Sequence, residues 1–121
     1  MSERHLSIIL LEDVAFKMLV HKVGKTFNIS LPYKNIKGRF IAEGCTANYK
    51  ISVIDRIDDL SDELCDEHHV LNVTVTFNNP LHLEKIENEI KSKLGKENIK
   101  WESGIWSKTT ADETYRKIYP D

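Results

Sequence analysis

The chain has 121 residues, of which 40% are apolar, and its formal net charge is −2. This length fits a single domain, residues 1–121, with enough apolar residues for one hydrophobic core. No apolar stretch approaches the ~20 residues that cross a bilayer, and no secretory signal opens the chain, so a membrane protein is disfavoured and a cytoplasmic location is expected.

The composition gives no sign of a metal or a cofactor. Two cysteines, Cys45 and Cys65, are too few for a disulfide framework and are expected to be free thiols. No Cys-x-x-Cys, His-x-x-x-His or His-Glu-x-x-His spacing occurs, so no metal site is expected. "VGKT" at 23–26 ends like a phosphate-binding loop, but Leu19 stands where that loop needs glycine.

The first half of the chain contains one predicted helix among strands. "HLSIILL" (5–11) is typical of a buried strand, and Val14, Met18 and Leu19 predict a helix over 12–23, ending at Gly24. The β-branched residues of that stretch leave a second strand as an alternative. Alternating apolar residues predict strands at 25–32, which Pro32 ends, and then at 36–44 and 48–57 as a hairpin.

The second half contains the clearest patterns. "VLNVTVTF" (70–77) alternates strictly and predicts a strand. A helix is predicted from an Asn79 cap and Pro80 to Gly95, with Leu83, Ile86, Ile90 and Leu94 as its apolar stripe. A closing strand over 98–109 and a C-terminal helix over 111–119, opened by a capping box of Thr110 and Glu113, complete the order.

This order of elements predicts an α+β fold. Strands that are polar at alternate residues have one solvent-exposed face, and a helix with a single apolar stripe buries only that side. We therefore expect a mainly antiparallel β-sheet with one or two helices packed on one face. The opposite face of the sheet would then be available to a partner.

The charge of the chain is concentrated in residues 55–67, which we name the acidic segment. Its seven carboxylates face one counter-charge, Arg56, so the segment carries −6 and the rest of the chain +4. The acids are Asp55, Asp58, Asp59, Asp62, Glu63, Asp66 and Glu67. Ile57, Leu60 and Leu64 have the spacing of a helical turn, which would rest on the sheet and project the acids outward.

The acidic segment has more than one interpretation. A solvated connection between strands tolerates charge, and charge beside a sheet edge discourages aggregation. The alternative is that the acids complement a basic surface on another macromolecule and steer its association. Calcium binding is disfavoured because the Asp-x-Asp-x-Asp-Gly loop is missing.

Two aromatic residues are candidate anchors for such a partner. Trp101 and Trp106 differ by five positions in one predicted strand, so we expect them on opposite faces, with Ile99 and Ile105 on the face of Trp101. Trp106 is the candidate for the exposed one, and exposed Trp is frequent at interfaces; the alternative is that Trp106 packs under the predicted C-terminal helix. Tyr49 is the second candidate anchor.

In its size, its charge layout and its lack of a catalytic motif, the chain resembles the bacterial immunity proteins that neutralise toxins, including those of contact-dependent growth inhibition systems. The resemblance depends chiefly on residues 55–69. It implies an inhibitor whose acids occupy or flank a basic cleft of a toxin such as a nuclease. The partner is then a protein, with no direct nucleic-acid or membrane contact, and a homodimer is left open.

Two other function classes stay open. A small enzyme or ligand-binding protein would enclose a pocket between sheet and helix, with Asp55, His68 or His69 as acid-base groups at strand ends. A phage-type nucleic-acid mimic would use the same acids against restriction or defence enzymes. The sequence favours a binding protein over an enzyme because it has no catalytic signature.

Overall fold

The computed structural model describes residues 2–12, 14–36, 39–46, 49–58, 63–64, 68–77, 83–107 and 116–120. Eight strands and two helices lie in this part of the chain. In chain order they are β1 (Ser2–Leu10), α1 (Phe16–Phe27), β2 (Tyr33–Ile36), β3 (Arg39–Cys45), β4 (Tyr49–Asp58), β5 (Glu63–Leu64), β6 (Val70–Phe77), α2 (Leu83–Lys96), β7 (Trp101–Trp106) and β8 (Lys117–Ile118).

The strands form one sheet in the order β2-β3-β4-β6-β1-β7-β8, and β5 pairs with the end of β4. Every described pairing is antiparallel. Strands β6 and β7 flank β1 and run parallel to each other, since each is antiparallel to β1, and α2 connects them. The predicted α+β fold with a mainly antiparallel sheet is confirmed.

The core lies between one face of the sheet and the two helices. Leu6 of β1, Val73 of β6 and Ile51 of β4 stand in register on this face, and all three are fully buried. Tyr49 of β4 touches both helices: its ring meets Phe27 of α1 edge-on, and its hydroxyl donates to Glu89 of α2. Both helices therefore cover the same face, as predicted.

The opposite face of the sheet, which we name the open face, carries mixed side chains that are partly exposed. One row across four strands is apolar, consisting of Ile41, Ile54, Val70 and Ile9 in register. The next row is polar, and Ser7 donates to the Asn72 side chain there at 2.8 Å. The alternation predicted for β6 from the sequence separates these two faces.

Helix α1 exists where a helix was predicted, but it begins at Phe16 and ends at Phe27 rather than spanning 12–23. The strand predicted over 25–32 is wrong. Asn28 takes the left-handed conformation, and the backbone N–H groups of Asn28 and Ile29 donate to the carbonyls of Lys25 and Gly24. This is the Schellman arrangement that ends a helix, so Phe27, Ile29 and Leu31 pack on the core without forming a strand.

Helix α2 ends in the same way. Asn98 is left-handed, and the N–H groups of Asn98 and Ile99 donate to the carbonyls of Gly95 and Leu94. Of the predicted apolar stripe, Ile90 and Leu94 are fully buried, whereas Leu83 and Ile86 are partly buried. The predicted start at Asn79 and Pro80 lies outside the described residues.

The prediction that Trp101 and Trp106 face opposite sides is wrong, because both side chains are buried. Trp106 pairs with Leu6, but the register shifts along β7, so that Trp101 pairs with Leu10. This bulge adds one residue to β7 and turns both rings toward the core. Ile105 pairs with Ser7 and lies on the open face, not on the face of Trp101.

The C-terminal helix predicted over 111–119 is wrong where the structure describes it. Lys117 and Ile118 form β8, which pairs with Ile105 and Gly104 of β7. Residues 111–115 lie outside the described part of the chain. Neither described helix has the length and the apolar character needed to cross a membrane.

Candidate partner-binding surface at the base of the acidic segment

The acidic segment lies between the paired parts of β4 and β6, and its residues 55–58 and 63–64 belong to the end of β4 and to β5. Ile54 of β4 pairs with Val70 of β6, and this is the last register pair between the two strands. Residues 55–69 therefore form a connection whose two ends are fixed side by side. We name the point where these two ends lie side by side the base of the acidic segment. It is the part of the predicted site that the structure describes.

A buried pair of side chains lies at this base and connects its two ends. Asp55 and His69 are 6% and 1% exposed, and Nδ1 of His69 lies 3.4 Å from Oδ1 of Asp55. Nε2 of His69 donates to the backbone carbonyl of Val14 at 3.0 Å, since a carbonyl oxygen only accepts. We name these three residues the clasp, because they join both ends of the connection 55–69 to the segment that precedes α1.

The clasp limits what His69 can do chemically. A histidine that acts as a general base needs one ring nitrogen directed at the substrate while the other is held by its carboxylate. In this structure the second nitrogen is bonded to a backbone carbonyl inside the core. The structure thus brings together Asp55 and His69, two of the residues of the enzyme alternative, but in an arrangement suited to holding the chain.

The prediction that all seven acids project outward is wrong for Asp55, whose side chain lies on the core face. It is also wrong that Ile57 and Leu64 lie on one helical turn: they pair across the antiparallel β4 and β5, and Asp58 pairs with Glu63 in the same ladder. Because Ile57 and Leu64 lie on the two strands of this short hairpin, their helix-like spacing in the sequence led to a wrong prediction of a helical turn. Asp59, Asp62, Asp66 and Glu67 lie outside the described residues.

The two predicted aromatic anchors are part of the core. Trp106 is fully buried, and its indole N–H donates to Oε2 of Glu87 at 2.7 Å. Tyr49 is 6% exposed, and its burial, together with the hydrogen bond to Glu89, raises its pKa. Neither side chain can contact a partner in this fold, because the helices cover the face on which both lie.

An aromatic cluster that the sequence reasoning missed lies next to the clasp. It consists of Phe16, Tyr33 and Phe40, whose ring centroids are 5.7 to 6.3 Å apart. Phe16 also lies 6.1 Å from the ring of His69. Tyr33 is 38% exposed because β2 is the edge strand. In the sequence, Tyr33 follows directly after Pro32, but nothing there indicates that it would stack on Phe16.

Among the described residues, three open grooves on the helical side each have a volume of about 550 to 590 Å³. The first runs along α1 and is lined by Lys17, His21 and Lys25 on the helix and by Asn28 and Ser30 after it. None of these three grooves is lined by Asp55, His68 or His69. Within the described residues, no three His, Cys, Asp or Glu side chains are grouped as a metal ion would need.

The described site is thus the fixed base of the acidic segment, closed by the clasp and bordered by an aromatic cluster. Comparison of the chain with family models, with curated proteins and with solved structures found no match. A proposal about function therefore depends on the geometry and charge of this site.

Proposed function

We propose that the protein is a binding protein that neutralises a basic protein partner through the acidic segment, in the manner of the immunity proteins that inhibit bacterial toxins. The observation that carries the proposal is the clasp. A strongly charged connection between strands needs no buried fastening if it serves only as a solvated linker. Here Asp55 and His69, at its two ends, are both buried and joined to Val14.

The physical advantage of the clasp is preorganisation. Binding costs free energy when a loop must be ordered, and a connection whose ends are already fixed loses less entropy on docking. Six acids then remain between the fixed ends, at positions 58–67, to steer and hold a cationic surface. The engagement of both ring nitrogens of His69 favours this reading over the enzyme alternative.

The test uses the purified product of the reading frame directly upstream of this gene as the probe, since immunity proteins accompany their toxins. Calorimetry would measure the dissociation constant at low and at high salt, and a growth assay would measure whether this protein suppresses the toxicity of the probe. In the test variant Asp58→Asn, Asp59→Asn, Asp62→Asn and Glu63→Gln remove four charges from the acidic segment.

The control variant removes four charges elsewhere, by Glu3→Gln, Glu84→Gln, Glu97→Gln and Glu102→Gln. We expect the test variant to bind at least about tenfold more weakly at low salt, with a flatter salt dependence, whereas the control changes affinity by less than about threefold. Equal affinities of the two variants, or a probe that does not bind the wild-type protein, would overturn the proposal.

A further inference from the structure

We infer that Tyr33 is the aromatic anchor of the partner-binding surface and that it receives a lysine or arginine side chain of the partner. This inference rests on the proposed function. It gives the aromatic cluster a role in partner binding and identifies the partner group that contacts it as a cation. Three features of Tyr33 support it: the exposure of its side chain, the packing of its ring, and its position near the clasp.

Exposure distinguishes Tyr33 from the rest of the aromatic cluster. Phe16 is 8% exposed and Phe40 is partly buried, whereas Tyr33 is 38% exposed. The Tyr33 hydroxyl has no hydrogen bond within the described part of the chain, so it can bond a partner at no internal cost. Tyrosine combines a large apolar ring with a polar end, which explains its frequency at the centres of interfaces.

The support of the Tyr33 ring makes it a rigid anchor. Phe16 and Phe40 both meet it edge-on, at 5.7 and 5.8 Å, with interplanar angles of 89° and 79°. Such contacts restrict the rotation of the ring before any partner arrives. A side chain that is already fixed loses little entropy on binding, and an aromatic face attracts cations, arginine above all.

The position of Tyr33 near the clasp is the reason to expect a cationic partner group there. Two ring contacts connect it to the clasp, from Tyr33 to Phe16 and from Phe16 to His69. His69 is the last residue before β6 and lies two positions after the acidic segment. A basic surface that docks at the clasp therefore also reaches the aromatic cluster, and a cationic side chain of that surface is the group that would lie on the Tyr33 ring.

A partner strand is not expected to form hydrogen bonds with the exposed edge of β2. Strand β2 has four residues, follows Pro32 and carries Lys34, and these are the features by which natural sheets protect an edge. Tyr33 pairs with Ala42 and so lies on the helical side, whereas Lys34 pairs with Ile41 on the open face. The partner thus approaches the helical side of β2.

The experiment measures binding of the same upstream product to variants at position 33. Tyr33→Ala is compared with Tyr119→Ala, because Tyr119 is 56% exposed and follows β8 at the opposite edge of the sheet. We expect Tyr33→Ala to weaken binding at least about tenfold and Tyr119→Ala to change it less than about twofold, as is usual for anchor and non-anchor residues. Thermal unfolding of each variant verifies that it folds.

Two charged variants test the chemistry of the partner group. Tyr33→Glu and Tyr33→Lys lose the same ring, so a difference between them reports the charge that they meet. We expect Tyr33→Glu to bind more tightly than Tyr33→Lys, and the reverse order would overturn the assignment of a cation. If the wild-type protein binds but position 33 has no effect, this inference fails and the proposed function stands; if the wild-type protein does not bind, both fail.

Discussion

A hydrogen bond between Trp106 and Glu87 joins strand β7 to helix α2 inside the core. The indole N–H donates to Oε2 at 2.7 Å, and Arg116, just before β8, donates to both oxygens of the same carboxylate at 2.5 and 2.9 Å. Burial alone would raise the pKa of Glu87, but the hydrogen bonds from Arg116 and Trp106 and the charge of Arg116 lower it overall. Glu87 therefore holds three elements together as a carboxylate.

Glu87→Gln should destabilise the protein by about 1–3 kcal/mol at pH 7, since charge-assisted bonds to a buried acceptor are lost. Because the folded-state pKa lies below the ordinary 4.5, this contribution is present above that pH and is lost as the pH falls through the folded-state pKa. Urea unfolding should therefore show a smaller difference between variant and wild type at acid pH. Glu84→Gln, on an exposed residue of the same helix, is the control, and a difference independent of pH would contradict the prediction.

The clasp should behave as one energetic unit. His69→Leu removes the His69 ring from the buried Asp55 carboxyl, and we expect a loss of about 1–3 kcal/mol in the free energy of unfolding. In a double-mutant cycle with Asp55→Leu, the two losses should be less than additive, because each substitution removes the same contact. The cycle of His69→Leu with Tyr49→Phe serves as the control and should be additive. Additivity in both cycles would show that the two clasp side chains are not coupled.

The hydroxyl of Tyr49 bonds Glu89 at 2.9 Å and links β4 to α2. Tyr49→Phe keeps the ring and its contact with Phe27, so only the hydrogen bond is lost, which costs about 0.5–1.5 kcal/mol. Because the pKa of Tyr49 is raised, an ultraviolet titration should show one tyrosine that ionises above the ordinary tyrosine pKa of 10.0. In the Tyr49→Phe variant that late step should be absent. If the step persists, it belongs to another tyrosine.

The sequence predicted the fold class and most strands because these depend on apolar periodicity. In β6 the alternation of Leu71, Val73 and Val75 with polar residues is the alternation of buried and exposed faces. The sequence predicts that the helices end at Gly24 and Gly95, whereas they end at Phe27 and Lys96. In both helices the stop is an Asn-Ile pair whose Asn lies three or four residues after the glycine; this Asn is left-handed, and the apolar residue that follows it contacts the core.

The candidate site was predicted less well, because it depends on register and on contacts between distant segments. A single bulge in β7 reverses the face of Trp101 relative to Trp106, and composition cannot reveal such a shift. Likewise, Asp55 and His69 meet only because Ile54 pairs with Val70. The grouping of acids in one segment was visible in the sequence, but which of them is buried was not.

The Asn-Ile helix ends provide a prediction of their own. Asn98 has φ of 56°, a conformation that costs an ordinary L residue roughly 1–2 kcal/mol but costs Gly almost nothing. Asn98→Ala should therefore destabilise the protein by about 1 kcal/mol, whereas Asn98→Gly should be neutral or slightly stabilising. Thermal unfolding of both variants, with the same pair at Asn28, would test this. A stabilising Asn98→Ala would show that the left-handed turn is not the source of the cost.

Gly44 and Gly95 should respond in opposite ways to the same substitution. A Cβ on Gly44 of β3 would lie 2.6 Å from the carbonyl oxygen of Ser30 and 2.9 Å from Cδ2 of Leu31, because the chain that leaves α1 crosses this strand closely. The backbone must move to admit it, so Gly44→Ala should cost about 1–3 kcal/mol. A Cβ on Gly95 of α2 meets nothing within 4 Å, and Gly95→Ala should stabilise the helix by about 0.5–1 kcal/mol. Denaturant unfolding would measure both changes, and a Gly44→Ala variant as stable as the wild type would mean that the segment after α1 does not lie against β3.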